Sequence, residues 1–120
     1  MDVLRNILWV ACGGAAGSVL RYLISRWMPA TFPWGTLTVN IIGSLLIGLL
    51  TGLASKGTLP VEMRLLLVTG FCGGFTTFST FANESYGMLD SGHILTAACY
   101  IGTSIFGGIL AVYICLQLGR

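Results

Sequence analysis

The sequence predicts an all-α integral membrane protein with four transmembrane helices, and three observations point to this fold class. Of its 120 residues, 55% are hydrophobic and only 8% are charged. The mean hydropathy of +0.88 lies far outside the range of soluble globular domains. Four windows contain no Asp, Glu, Lys or Arg, and a helix needs about 20 mostly apolar residues to cross a bilayer. These windows are 6–20, 27–55, 65–83 and 91–119.

The connections between the spans are short and carry turn residues. Pro29 and Pro33 bracket the first connection, Ser55–Pro60 forms the second, and Leu89–His93 forms the third. We therefore expect a single transmembrane domain over residues 1–120, with helices at about 4–27, 35–55, 62–88 and 93–118. No connection is long enough for a folded extramembrane domain, so function is expected within or across the bilayer.

The first two spans each carry a polar residue with two interpretations. Arg21 lies near the end of the first span, where its side chain either extends to the interface or serves a special site. Asn40 lies well inside the second span, and its amide offers donors and an acceptor. Asn40 therefore suits either a hydrogen bond between helices or contact with a passing polar species.

The third span contains an unusual stretch, "GFCGGFTTFSTF" (Gly70–Phe81). Gly costs about 1 kcal/mol relative to Ala inside a helix, and β-branched Thr adds a smaller penalty. The stretch therefore predicts a break, and irregular backbone at bilayer depth is tolerated where protein buries it or a polar cavity meets it. Half-helix ends of this kind commonly form ion sites.

Aromatic and acidic residues follow this break. Phe78 and Phe81 are three residues apart and share a helix face, where their rings either pack or turn positive edges toward an anion. Glu84 is either an interfacial residue or a ligand for a proton or ion. In the fourth span, Tyr100 and Ser104 share a face and form either a polar track or hydroxyl bonds to their own backbone.

The charges are few and give no clear orientation. They form no basic stripe, so nucleic-acid binding is not expected. With four spans, the two sides of the membrane collect four and two basic residues. The richer side has Arg5, Lys56, Arg64 and Arg120, and the other has Arg21 and Arg26. This weak bias is compatible with insertion in either direction.

Each span carries a pair of small residues four positions apart, which lets helix backbones approach closely. The pairs are Gly13 and Gly17, Gly48 and Gly52, Gly70 and Gly74, and Ser104 and Gly108. Four helices are few to surround a polar path, so we expect a homodimer.

Three ordered motifs resemble those of the small fluoride channels of the Fluc/CrcB family. They are "GGAAGSVLRY" (Gly13–Tyr22), "GTLTVNIIGS" (Gly35–Ser44) and "GFCGGFTTFSTF", and the resemblance covers essentially the whole chain. The resemblance implies passive export of fluoride across a bacterial plasma (inner) membrane, without enzymatic activity. It also implies an antiparallel, dual-topology homodimer with two pores at the subunit interface.

The resemblance also implies roles for particular residues. Asn40, Phe78 and Phe81 would line the fluoride path, with Tyr100 and Ser104 as a polar track. Thr77, Ser79 and Thr80 would line or support the broken helix, and Arg21 and Glu84 would lie in the vestibule. The backbone carbonyls of Gly73 and Thr76 would hold a structural Na⁺ between the subunits. Some family members have a hydroxyl one turn beyond Ser104, where this sequence has Gly108.

Two other kinds of protein share a short, four-span pattern. The small multidrug exporters use a membrane-embedded carboxylate in the first span, but the first span of this chain has no Asp or Glu after Asp2. A proton-coupled exporter would have to rely on Glu84 instead. A purely structural or holin-like protein would leave the ordered polar motifs unexplained.

Overall fold

The computed structural model describes residues 2–120 and shows a chain made of helices and short connections. The first two spans are α1 and α2, the third is divided into several pieces, and the fourth is α6. Their bounds are α1 Val3–Trp27, α2 Trp34–Ser55, α3 Val61–Arg64, a π-helical segment Leu65–Cys72, α4 Gly73–Phe75, α5 Phe78–Asp90 and α6 Ile94–Gly119. In the described part of the chain, four helical stretches are long and apolar enough to cross a membrane.

The helix ends follow from local sequence. The Asp2 carboxylate accepts a hydrogen bond from the Leu4 N–H at 3.1 Å and caps the start of α1. Gly57 and Gly92 have φ angles of +75° and +83°, respectively, in the turns after α2 and α5. Glycine adopts this left-handed conformation without a steric penalty, so these turns can be short.

The third span is interrupted, as the sequence predicts. Helical geometry ends after α4, and Thr76 and Thr77 are extended, with ψ angles of 159° and 122°. The Thr77 hydroxyl then accepts a hydrogen bond from the Thr80 N–H at 3.2 Å and caps the start of α5. The break therefore consists of two extended residues between two helix ends at membrane depth.

The π-helical segment before the break has no counterpart among the sequence-based expectations. Its i→i+5 hydrogen bonding has no distinctive residue pattern in "LLLVTGFC", which is simply apolar. Such segments are rare and are frequently found at functional sites. Here the segment packs against α1 and leads directly into α4.

Small residues bring the helices into two closely packed pairs. A Cβ atom added to Gly13 would lie 2.8 Å from the Phe71 nitrogen, so α1 touches the π-helical segment backbone to backbone. A Cβ atom on Gly52 would lie 2.7 Å from the Leu116 oxygen, which places α2 equally close to α6. Gly108 is less tightly packed, because a Cβ atom added there would first meet the Ser44 hydroxyl, at 3.4 Å.

Candidate functional site

A groove of about 590 Å³ runs along the break, between the two helix pairs. It contains seven of the residues that the sequence analysis proposed for a site: Asn40, Gly73, Thr76, Thr77, Phe78, Phe81 and Ser104. The remaining proposed residues lie outside its lining: Arg21, Ser79, Thr80, Glu84 and Tyr100. The fold thus gathers residues from α2, the third span and α6 into one partly polar groove.

Asn40 is held against the break by two hydrogen bonds. Its Nδ2 donates to the Thr77 carbonyl at 3.1 Å, and its Oδ1 accepts from the Thr77 N–H at 2.8 Å. The amide therefore pairs with the extended backbone as a neighbouring β-strand would. A primary amide has two N–H donors. Among residues 2–120, Asn40 Nδ2 uses one of them in this pair, which leaves the second for a ligand.

The hydroxyl groups of the groove divide into engaged and free groups. Ser44 Oγ donates to the Asn40 carbonyl at 2.7 Å, and Thr76 Oγ1 donates to the Cys72 carbonyl at 2.9 Å. Ser104 Oγ is buried and has no hydrogen-bond partner within the described chain. A buried polar atom without a partner is unfavourable, so Ser104 is the hydroxyl best able to serve a ligand.

The two phenylalanines after the break have contrasting surroundings. Their ring centroids are 5.8 Å apart, and the ring planes are tilted by 54°. Phe81 is only 8% exposed and packs against the Tyr100 ring at 5.2 Å, whereas Phe78 is 78% exposed. The Phe78 ring is therefore presented outward from this chain.

Tyr100 and Glu84 lie together beside the groove. Tyr100 is completely buried and donates its hydroxyl to Glu84 Oε1 at 2.9 Å. Glu84 also lines a second cavity of about 530 Å³, near the first and third connections. The Tyr100 hydroxyl is thus engaged by a carboxylate instead of its own backbone.

Arg21 contacts the break from α1, whereas Asn40 contacts it from α2. Its Nε donates to the Gly74 carbonyl at 2.9 Å in partly buried surroundings. Gly74 belongs to the last turn before the break, where carbonyl groups lack helical partners. The side chain is thus directed to the helix end and does not simply extend to the membrane surface.

Sequence reasoning missed two contributors to the groove. A Cβ atom on Gly43 would overlap the Thr76 side chain, so any larger residue where α2 passes the break would force Thr76 to move. Ser44 lies four residues after Asn40 and therefore on the same helix face. That spacing is visible in the sequence and could have identified Ser44.

The fold and groove define a multi-pass membrane protein with a polar site at a helix break, an arrangement typical of proteins that pass ions across membranes. Comparison with known families makes this assignment specific. Residues 8–116 match the family model described as "CrcB-like protein, Camphor Resistance (CrcB)". The chain belongs to the CrcB family.

Similar proteins cover nearly the whole chain. The protein named "Fluoride-specific ion channel FluC" from Agrobacterium fabrum is 49% identical, over 96% of this chain and 96% of its own length. The protein of the same name from Chloroflexus aurantiacus (strain J-10-fl) is 48% identical, over 98% and 97%. That from Chlorobium chlorochromatii is also 48% identical, over 95% and 92%. The sequence-based family resemblance is therefore confirmed.

Proposed function

We propose that this protein is a fluoride-selective channel that lets fluoride leave the cytoplasm passively across a bacterial plasma (inner) membrane. The observation that carries the proposal is the 49% identity, over 96% of both chains, to a protein named a fluoride-specific ion channel. Membership of this family makes the chain an ion channel protein and not an enzyme. The whole chain would act as a single transmembrane domain, since the groove draws on α2, the third span and α6, and α1 packs against the third span.

The groove offers chemistry suited to a small, strongly hydrated anion. A pore must replace the water that the ion loses, and hydrogen-bond donors do this for an anion. The second N–H of Asn40 and the unpartnered Ser104 hydroxyl are such donors. The edges of Phe78 and Phe81 add weak positive potential without a fixed charge that would trap the ion.

A homodimer completes this pathway. The Phe78 side chain is 78% exposed in the single chain. The proposed pore, however, needs this ring to lie beside an enclosed path. An antiparallel, dual-topology second copy would enclose the ring and form two pores at the subunit interface. The distribution of four basic residues on one side against two on the other is weak enough to permit both orientations.

The carbonyls of Gly73 and Thr76 are suited to a structural Na⁺ on the dimer axis. Both residues belong to the C-terminal turn that the break leaves without helical partners. Hard cations prefer oxygen ligands. One chain offers two carbonyls, and a symmetric second copy would bring the number to four. This chemistry would join the subunits without taking part in anion movement.

The remaining residues support the pathway. Thr77 and Thr80 hold the start of α5, and Ser79 lies next to them, 3.5 Å from the Thr77 hydroxyl. Glu84 and Arg21 would lie at the vestibules. Tyr100, which bonds Glu84, would continue the polar track from Ser104.

The direct test is ion flux from liposomes that contain the purified protein. We expect rapid release of fluoride without a proton gradient, and release of chloride slower by an order of magnitude or more. Equal fluoride and chloride rates would refute selectivity. Drug-dependent proton movement that is lost in Glu84→Gln would instead identify a proton-coupled exporter.

The aromatic pair provides a second prediction. Phe81→Ile and Phe78→Ile are expected to abolish fluoride flux, because isoleucine keeps apolar bulk but has no ring edge. Size-exclusion chromatography should still show the dimer. Phe106→Ile is the matched control, since Phe106 is 75% exposed and is not among the groove residues. Flux at the original rate in both pore variants would make the rings packing residues only.

A further inference from the structure

The end of the first half of the third span is bonded to a side chain from another helix. Arg21 of α1 donates its Nε–H to the Gly74 carbonyl at 2.9 Å, across 53 residues of sequence. The donor is the chain-side nitrogen of the guanidinium group and not one of its two terminal amino groups. The two terminal amino groups therefore take no part in this bond. The positive charge of the guanidinium group lies near the C-terminal end of α4.

The contact depends on how closely α4 approaches α1. Gly14, Ser18 and Arg21 follow one face of α1 at helical spacing. A Cβ atom on Gly74 would lie 2.6 Å from the Gly14 oxygen and 3.0 Å from the Ser18 hydroxyl. Any side chain at position 74 would push α4 away and carry its carbonyl out of reach of Arg21.

The bond lies next to the groove but not in it. Arg21 is not among the lining residues, whereas Gly73, Thr76 and Thr77 are. Gly74 immediately follows one of these residues and precedes the others by two and three positions. Fixing the Gly74 carbonyl therefore fixes where the extended residues begin, and Asn40 then holds Thr77 from α2.

We propose that Arg21 is a positioning residue for the pore, whose Nε–H bond to the Gly74 carbonyl sets the break from the α1 side. The role is distinct from supplying positive charge to a vestibule. Any cationic side chain at position 21 would supply the charge. Only a hydrogen-bond donor at the location of Nε would hold the Gly74 carbonyl in place. The effect on ion flux rests on the proposed function, but the effect on the break does not.

Two substitutions separate the donor from the charge. In glutamine, Nε2 is the fourth atom of the side chain, as Nε is in arginine, so Arg21→Gln keeps an N–H donor there and loses the charge. In lysine, the fourth atom is a methylene and the ammonium lies one bond farther out, so Arg21→Lys keeps the charge and loses that donor. Arg21→Met removes both.

The matched controls are Arg26→Gln and Arg26→Lys. Arg26 lies five residues further along α1 and is exposed, and its only hydrogen bond within the described residues is to the Tyr22 hydroxyl at 3.5 Å. Arg26→Gln removes a charge at the same end of the same helix, Arg26→Lys keeps it, and neither substitution touches the break.

The first measurement is hydrogen exchange of the backbone amides of residues 76–81 in purified protein. We expect about tenfold faster exchange in Arg21→Lys and Arg21→Met, and near-original exchange in Arg21→Gln and both Arg26 variants. The second measurement is fluoride flux from liposomes, which should fall at least tenfold in Arg21→Lys and less in Arg21→Gln.

The proposal is decided by the rate of hydrogen exchange in Arg21→Lys compared with that in Arg21→Gln. Exchange in Arg21→Gln that is accelerated as much as, or more than, exchange in Arg21→Lys would overturn it, because the donor at Nε would then not be what holds the break. Unchanged exchange in all three variants, or loss of folded Arg21→Gln protein, would also overturn it. Hydrogen exchange could follow the expected ranking while neither the original protein nor any variant conducts fluoride. In that case the positioning role stands and the proposed function fails.

Discussion

Asn40→Asp is expected to reduce fluoride flux by about two to three orders of magnitude, because it places a negative charge beside the proposed path of an anion. The substitution keeps the size of the side chain and one acceptor for the Thr77 N–H. It replaces the Nδ2 donor with an oxygen that faces the Thr77 carbonyl, which now lies 3.1 Å from Nδ2. Two unit charges 4 Å apart repel by about 4 kcal/mol at an effective dielectric constant of 20, which corresponds to roughly a thousandfold in rate.

The measurement is the initial rate of fluoride release from liposomes at neutral pH. Asn83→Asp is the control, because Asn83 lies on the exposed surface of α5 and gains the same charge. Hydrogen exchange at Thr77 should also increase in Asn40→Asp, since one of the two bonds that hold it is lost. Flux within threefold of the original rate would show that Asn40 neither faces the anion nor holds the break.

Gly13→Ala is expected to lower the free energy of unfolding by about 1–3 kcal/mol, the typical penalty for overpacking. The added methyl group would lie 2.8 Å from the Phe71 nitrogen and 3.0 Å from the Leu66 carbonyl carbon. Both are backbone atoms, which cannot move aside by a change of rotamer. The helices must therefore separate, which would also displace the π-helical segment that leads into α4.

The neighbouring glycine provides a close control. A methyl group on Gly14 would lie 3.7 Å from the Gly70 oxygen, an ordinary van der Waals distance. Alanine favours helix over glycine by about 1 kcal/mol, so Gly14→Ala should be neutral or stabilising. Unfolding in detergent, followed by the loss of helical circular dichroism, measures both variants. Equal stability of the two would contradict the close packing of α1 on the third span.

The architecture of the third span was predictable in part. Gly73, Gly74 and the following threonines have low helix propensity, and that is a local property which the sequence displays directly. The position of the break was therefore anticipated, and the structure places it at Thr76 and Thr77. The π-helical segment was not anticipated, because the apolar run "LLLVTGFC" has no residue pattern that separates π-helical from α-helical bonding.

The contacts that hold the break were also beyond sequence reasoning. Asn40 and Arg21 were each recognised as polar residues at membrane depth, with two interpretations apiece. Their partners, the backbone groups of Thr77 and Gly74, lie 37 and 53 residues away. Main-chain acceptors have no residue signature, so only the three-dimensional packing reveals which carbonyl a donor meets.

The close backbone packing of α1 on the third span, and of α2 on α6, has a consequence for how the protein tolerates sequence change. Gly13 and Gly52 fix the separation inside each helix pair, but the groove lies between the pairs. Its width therefore depends on contacts that cross between the pairs, such as the hydrogen bonds of Asn40 with the Thr77 backbone. Substitutions there can alter which ions fit while both pairs remain intact. The selectivity of the proposed path can thus change separately from the stability of the framework that supports it.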